Sequence, residues 1–326
     1  MLLFAASLPA LAQPAGVAVQ VSGGKAIPTV AQLHTVLKPG DFVRDILGWH
    51  RADTGCDLRN NAAKPITIPT TMAALYANVA AAGGANFVTL GFNNKACGQP
   101  TISGVQAFPN TPELRAEFAA YAVAVVKQVP ALGGISIWNE LNGTWSGGYK
   151  NRAQQLTDYC LLSNAVVTEV RKITPNLPIT IGATVGPDVG QWFVDLFETY
   201  GCIGKNDPLI WLDVHPYLSG KIYTPLRQVD WRVWDDAVTS IRAHRIANAF
   251  IATEWGARAA YVWTQDHSNG NYLHVFHSRM LATDPNWAGF VWYEMLYDKS
   301  APHAGLFDAT GALTSFGTQY VREFEQ

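Results

Sequence analysis

The sequence predicts a single-domain (β/α)8 TIM barrel, and three observations carry that prediction. Eight short apolar, β-branched runs recur along the 326 residues, each followed by a segment with helical signals, in a unit of about 40 residues. The runs are near-continuously apolar, which implies a parallel sheet covered on both faces. No phosphate-binding loop follows the first run, where Ser22, Gly23, Gly24 and Lys25 are too short a match to a dinucleotide or nucleotide fingerprint, so an open doubly wound sheet is disfavoured.

In order, the strands are expected to begin near Val17, Phe42, Phe87, Ile135, Ile179, Leu209, Phe250 and Phe290. Between them, Met72 to Ala82 reads as a helix stopped by Gly83 and Gly84. Thr111 followed by Pro112 is an N-cap with proline in the first turn. A helix through Leu161 and Val170 must end before Pro175, and Leu313 to Glu325 reads as the eighth helix. No linker, repeat or low-complexity tract interrupts the pattern. With 48% apolar residues the chain can fill one large core, and residues 13–326 are assigned to one barrel.

Residues 1–12 are set apart. Leu2 to Leu11 is a short apolar stretch closing on an A-x-A pattern, Ala10 to Ala12, as in the core and cleavage site of a secretory signal, and it is too short to span a bilayer. No Lys or Arg precedes it; an ordinary apolar terminus is the alternative. The expected location is secreted or periplasmic. Net charge is −2 and 15% of residues are charged, against roughly 25% in soluble domains. A nucleic-acid partner or an anionic membrane surface is therefore not expected, and the chain is read as a monomer with a neutral or weakly charged ligand.

Four cysteines are compatible with an oxidising compartment. On the strand map Cys56 and Cys97 fall in the loops after strands 2 and 3, Cys160 in the helix after strand 4, and Cys202 just beyond the helix after strand 5. Pairing Cys56 with Cys97 and Cys160 with Cys202 joins sequential neighbours. Four cysteines allow three pairings, and four buried free thiols are the alternative.

Active sites of such barrels lie at the C-terminal strand ends. Two strands end in glutamate there: Ile135 to Glu140 reads ISIWNE, and Phe250 to Gly256 reads FIATEWG. Two carboxylates at one mouth suit glycoside hydrolysis, because the glycosidic oxygen leaves only when protonated, while the oxocarbenium-like carbon must be stabilised or attacked from the opposite face. Strand 2 adds Arg44 and Trp49, strand 3 ends in Asn93 and Asn94, strand 6 in Asp213, His215 and Tyr217, and strand 8 in Trp292 and Glu294.

With these residues the chain resembles a clan A retaining glycoside hydrolase. Its strings VHPY (Val214 to Tyr217) and TEWG (Thr253 to Gly256) look most like family 39 and related glycosidases of bacterial exopolysaccharides. The resemblance implies Glu140 as acid/base and Glu254 as nucleophile. It also implies Asn139 at the sugar 2-hydroxyl, Arg44 and Tyr217 beside the nucleophile, His215 at strand 6 and Trp292 under the sugar. The tail from Gly305 to Gly311 is similar to the segment leading into the last helix of such barrels. Two departures stand out: Leu141 where Asn-Glu-Pro is usual, and Asn93 and Asn94 where many relatives carry a histidine. The implied chemistry is double displacement, in which the charge on Glu254 keeps a proton on Glu140 until Glu254 becomes an ester. No cofactor and no metal are implied; the partner is an oligo- or polysaccharide.

Each residue also has a plainer reading. Of the 11 tryptophans, Trp49, Trp145, Trp255 and Trp292 are expected to stack on pyranose faces, with core packing as the alternative. His274 and His277, three apart on a helix, lack a further ligand at metal-site spacing and are read as solvated or interhelical. Asn142 opens a glycosylation sequon with Thr144, but a glycan beside Glu140 would block the cleft, so this stretch is read as a subsite loop. A transglycosylase would use the same residues. A non-catalytic polysaccharide-binding barrel would usually lack one carboxylate.

Overall fold

The computed structural model describes residues 14–61, 63–100, 106–143, 145–186, 188–216, 232–255, 272–296 and 305–324. The leader-like residues 1–12, Tyr217 and Thr144 lie outside them. Eight parallel strands close a barrel: β1 (Ala15–Ala18), β2 (Phe42–Gly48), β3 (Ala85–Gly91), β4 (Leu132–Ile137), β5 (Ile179–Val185), β6 (Ile210–His215), β7 (Phe250–Trp255) and β8 (Trp287–Tyr293), with β8 pairing back onto β1. Each strand begins within three residues of its expected position.

Helices follow the strands. After β1 comes α1 (Val30–Val36); after β2, the short α2 (Trp49–Ala52) and α3 (Thr70–Ala81); after β3, α4 (Pro112–Gln128). Then α5 (Arg152–Ile173), α6 (Val189–Val194), α7 (Arg232–Ala243), α8 (Tyr272–Thr283) and α9 (Ser315–Phe324) follow β4 to β8 in turn. The starts match the local chemistry. Thr111 accepts from the Leu114 amide at 3.3 Å with Pro112 in the first turn, and Asn151 accepts from Ala153 at 2.8 Å at the head of α5.

Strand alternation divides the core in two. Outward residues pack with the helices in one large cluster, while Ala18, Phe42, Phe87, Ile251 and Val291 fill the barrel floor. Glycine makes room for the two phenylalanines: a Cβ on Gly134 would lie 2.5 Å from the Phe87 ring. Above this floor the interior turns polar, with Thr89, Ser136, Thr180, Asp213 and Thr253 all at 0% exposure.

Both preferred disulfides are present, Cys56–Cys97 and Cys160–Cys202, each with Cα atoms 5.1 Å apart. His274 and His277 both face the Glu323 carboxylate of α9, at 3.0 and 2.9 Å, so they join helices. Among the described residues no helix is long and apolar enough to cross a membrane.

Candidate active site

The mouth is built around Arg44. Alternation on β2 turns its side chain inward, 2% exposed, where Nε donates to Thr89 Oγ1 at 2.9 Å. One guanidinium nitrogen donates to Asn139 Oδ1 at 2.6 Å, and the other forms an ion pair with Glu254 Oε1. A single buried cation therefore links β2, β3 and the turn beyond β4 to Glu254 on β7, and it favours the carboxylate form of that residue.

Glu140 reaches the same space by a backbone reversal beyond β4. Trp138 and Glu140 both sit in the left-handed region, with φ of 69° and 48°. For residues with a side chain that costs about 1–2 kcal/mol each. Hydrogen bonds from the Trp138 amide to Leu90 O and from the Glu140 amide to Ala183 O, both 2.9 Å, hold the turn. The Glu140 carboxylate then meets two donors, Trp145 Nε1 on Oε2 at 3.1 Å and His215 Nδ1 beside Oε1 at 2.9 Å. The Trp145 loop is itself tied down, its carbonyl accepting from the Gln106 amide at 3.0 Å.

His215, at the end of β6, stands between the acids. Its Nδ1 is 3.8 Å from Glu254 Oε2, and its Nε2 is 3.1 Å from Thr253 Oγ1. Burial alone would push this imidazole down; the charge of Glu254, the hydrogen bond to Glu140 and the charges of Asp213 and Glu140 outweigh it and leave it above its ordinary value. One ligand atom each of Glu140, His215 and Glu254 lies within 4.8 Å of the others. A cation could use that spacing, but Arg44 already holds Glu254 and would oppose it.

Other expected site residues are placed elsewhere. Trp49 is in α2 at 0% exposure, its Nε1 donating to Asp53 at 3.1 Å and its ring against Phe118. Trp255 stacks on Phe276 of α8, and Trp292 packs on Trp255 and on Phe316 of α9. All three rings belong to the helix-facing core, because their strand positions or flanking helix turn them outward; they are corrected from sugar platforms to packing. Asn94 is corrected likewise: at 1% exposure it donates to Asp53 O at 2.6 Å and caps a turn through Ala96 N. Asn93 is half-buried in the same loop. Asn142 pairs both ways with the Val185 backbone, at 2.6 and 3.0 Å, as a strut of the loop. Glu294 ends β8 bound by Lys25 Nζ.

Sequence reasoning missed Thr89, Thr253 and Lys25, and it missed Tyr293, which faces the barrel interior with Val291 and Ala18. Counting inward positions by twos along β8 would have selected Tyr293 over Trp292.

A closed (β/α)8 barrel with two glutamates at the ends of β4 and β7 defines the class of architecture. Among solved structures, a family 39 glycoside hydrolase from Bacteroides cellulosilyticus superposes with a TM-score of 0.69 at 20% identity, over 95% of this chain and 63% of that one. The exo-β-1,4-mannosidase Op5Man5 from an Opitutaceae bacterium gives 0.64 at 14% identity, over 96% and 60%. An endo-β-1,4-glucanase from Xanthomonas axonopodis pv. citri gives 0.65 at 12%, over 96% and 100%. At such identities the likeness establishes the fold. This chain spans less than two thirds of the length of the first two. No protein-family model matches the sequence, and no curated protein does.

Proposed function

We propose that the chain is a retaining glycoside hydrolase acting on β-glycosidic bonds of an oligo- or polysaccharide, with Glu254 as nucleophile and Glu140 as acid/base. The observation that carries this reading is the carboxylate pair, whose oxygens approach within 4.8 Å and whose partners differ in kind. That approach suits the roughly 5–5.5 Å of carboxyls that bond directly to the anomeric carbon rather than the 6.5–9.5 Å that admit a water.

In the first step a Glu254 oxygen bonds to the anomeric carbon. The carbon–oxygen bond to the leaving group breaks with its electron pair on oxygen, and that oxygen takes the proton of Glu140. In the second, Glu140 accepts a proton from water while the water oxygen bonds to carbon and releases Glu254. Arg44 stabilises Glu254 whenever it is a carboxylate. With its oxygen held by Arg44, Asn139 offers its amide nitrogen to the sugar 2-hydroxyl. The neighbours whose names specify a linkage act on β-1,4 bonds, which supports β-linkage here. The two disulfides support export to an oxidising compartment, where a bacterial exopolysaccharide is the first polymer to screen.

The test is release of new reducing ends, with NMR of the first-formed product expected to retain the anomeric configuration. Glu254→Ala should abolish turnover, and azide should restore part of it with an inverted product. Glu140→Ala should slow natural substrates by about 10²–10⁴-fold yet spare the first step on aryl glycosides with good leaving groups. An inverted wild-type product, or equal loss of aryl glycoside cleavage in both variants, overturns the assignment.

A further inference from the structure

Beneath Glu140 a line of hydrogen bonds runs down the barrel to a carboxylate that double displacement does not use. His215 Nδ1 is 2.9 Å from Glu140 Oε1, His215 Nε2 is 3.1 Å from Thr253 Oγ1, and Thr253 Oγ1 is 2.7 Å from Asp213 Oδ1. The direction of this line follows from the end that cannot turn. Asp213 meets donors on both oxygens: the hydroxyls of Ser136 and Thr180 on Oδ2, at 2.9 and 3.0 Å, and the Thr253 amide and hydroxyl on Oδ1, at 3.3 and 2.7 Å. A carboxyl so surrounded accepts. Thr253 then donates its one hydroxyl proton to Asp213 and must accept from His215, so the imidazole carries hydrogen on Nε2. Nδ1 is left facing Glu140 with one proton between them, on nitrogen or on oxygen, until glycosylation passes it to the leaving oxygen.

We infer that Asp213 is a positioning residue for proton transfer: acting through the Thr253 hydroxyl, it fixes His215 with hydrogen on Nε2, so that Nδ1 and Glu140 share the proton passed to the leaving oxygen. The inference rests on Glu140 being the acid/base. In glycosylation the shared proton moves from Glu140 to the leaving oxygen as the glycosidic bond breaks; in hydrolysis a water proton returns to Glu140 as the water oxygen bonds to carbon.

The charges around the imidazole support the arrangement. Glu140 faces it from beyond β4, Glu254 from β7 and Asp213 from its own strand, while Arg44 on β2 adds the opposing cation beside Glu254. Outside the strands, the Tyr159 hydroxyl of α5 accepts from the Gly182 amide and donates to Ile137 O. Burial raises the Asp213 carboxyl, opposed by His215, the Thr253 hydroxyl, Arg44 and Ser136. The carboxylates around it hold the imidazole above its ordinary value, which favours a ring with a proton to share.

The test uses the whole chain with 15N-labelled histidine. In the wild type, NMR should find His215 Nε2 protonated across the neutral range; a neutral ring protonated on Nδ1 overturns the inference without any variant. Thr253→Val should lose that pattern and lower kcat for an alkyl glycoside by at least about tenfold with little change in KM, sparing the first step on an activated aryl glycoside. Asp213→Asn should act in the same direction, and Thr253→Ser should restore both readouts. A folded Thr253→Val with wild-type ring-nitrogen shifts, or one losing both substrates equally, overturns it. If the wild type cleaves no glycoside, the functional reading fails, whereas the ring-nitrogen signals still report the hydrogen-bond line.

Discussion

Arg44 and Asp45 are neighbours on β2, and alternation gives them opposite surroundings: Arg44 enters the mouth, while Asp45 faces outward at 2% exposure. Burial raises the Asp45 carboxyl to about 6 despite hydrogen bonds from Ser22 and from the Ile46 amide and the charge of Arg44. Because the folded value lies above the ordinary 3.8, the folded state binds the proton more tightly. The stabilisation is fully present below about pH 4 and is lost as pH rises through about 6. Asp45→Asn should flatten this slope, shrinking the change in unfolding free energy between pH 4 and 7 by about 2–3 kcal/mol in urea titrations; identical slopes would count against it. The same alternation explains which site residues were legible. Glu140, Glu254, Arg44, Asn139 and His215 could be named because each is a polar residue at the end of, or within, an apolar strand run. Trp292 was named in place of Tyr293 on residue type, which does not say which face a strand end presents; the alternation along β8 does. Asp213 was named at the end of strand 6 without a role and Thr253 was missed, because a polar layer inside a barrel leaves no mark on a short run until its neighbours are known.

Strands were legible as elements because a parallel sheet covered by helices buries both faces, which leaves eight unbroken apolar runs between turn signals. The helices were read from caps and breakers, and α2 was missed: four residues are too few for a periodicity. Where helices meet, the decisive residue can be one with no side chain. Gly190 in α6 faces α7 so closely that a Cβ there would lie 2.6 Å from Ala237 Cα and 3.0 Å from its carbonyl oxygen. Gly190→Ala gains at most about 1 kcal/mol in helix propensity, and less so near a helix start. Against this stands a clash with backbone that cannot rotate away, and overpacking costs about 1–3 kcal/mol. The variant should therefore be less stable, by about 1–2 kcal/mol in denaturant unfolding, and a neutral or stabilised protein would mean that α6 and α7 separate without loss.

At the scale of the whole molecule, a barrel closed from β1 to β8 has no edge strand at which to begin opening, so its weak points are the loops and the helix layer. The two disulfides brace those parts. Cys56–Cys97 joins the loops after β2 and β3 across a separation of 41 residues, and Cys160–Cys202 ties α5 to the turn beyond α6 across 42. By chain entropy each is worth at most about 4 kcal/mol, with about 2–4 usual in practice. Thiol titration of the unfolded, unreduced protein should find none free, and the two paired replacements by serine should each lower stability by a similar amount. Their effects on catalysis should differ. The Cys56–Cys97 loops include Asp53, whose carboxylate accepts from the Cys56 amide at 2.9 Å and whose carbonyl accepts from Asn94 at 2.6 Å, next to Asn93 at the mouth. Loosening them should raise KM, whereas replacing Cys160 and Cys202, in the helix layer, should leave kcat and KM close to wild type. Equal kinetic effects from the two replacements would show that the mouth does not depend on its own bridge.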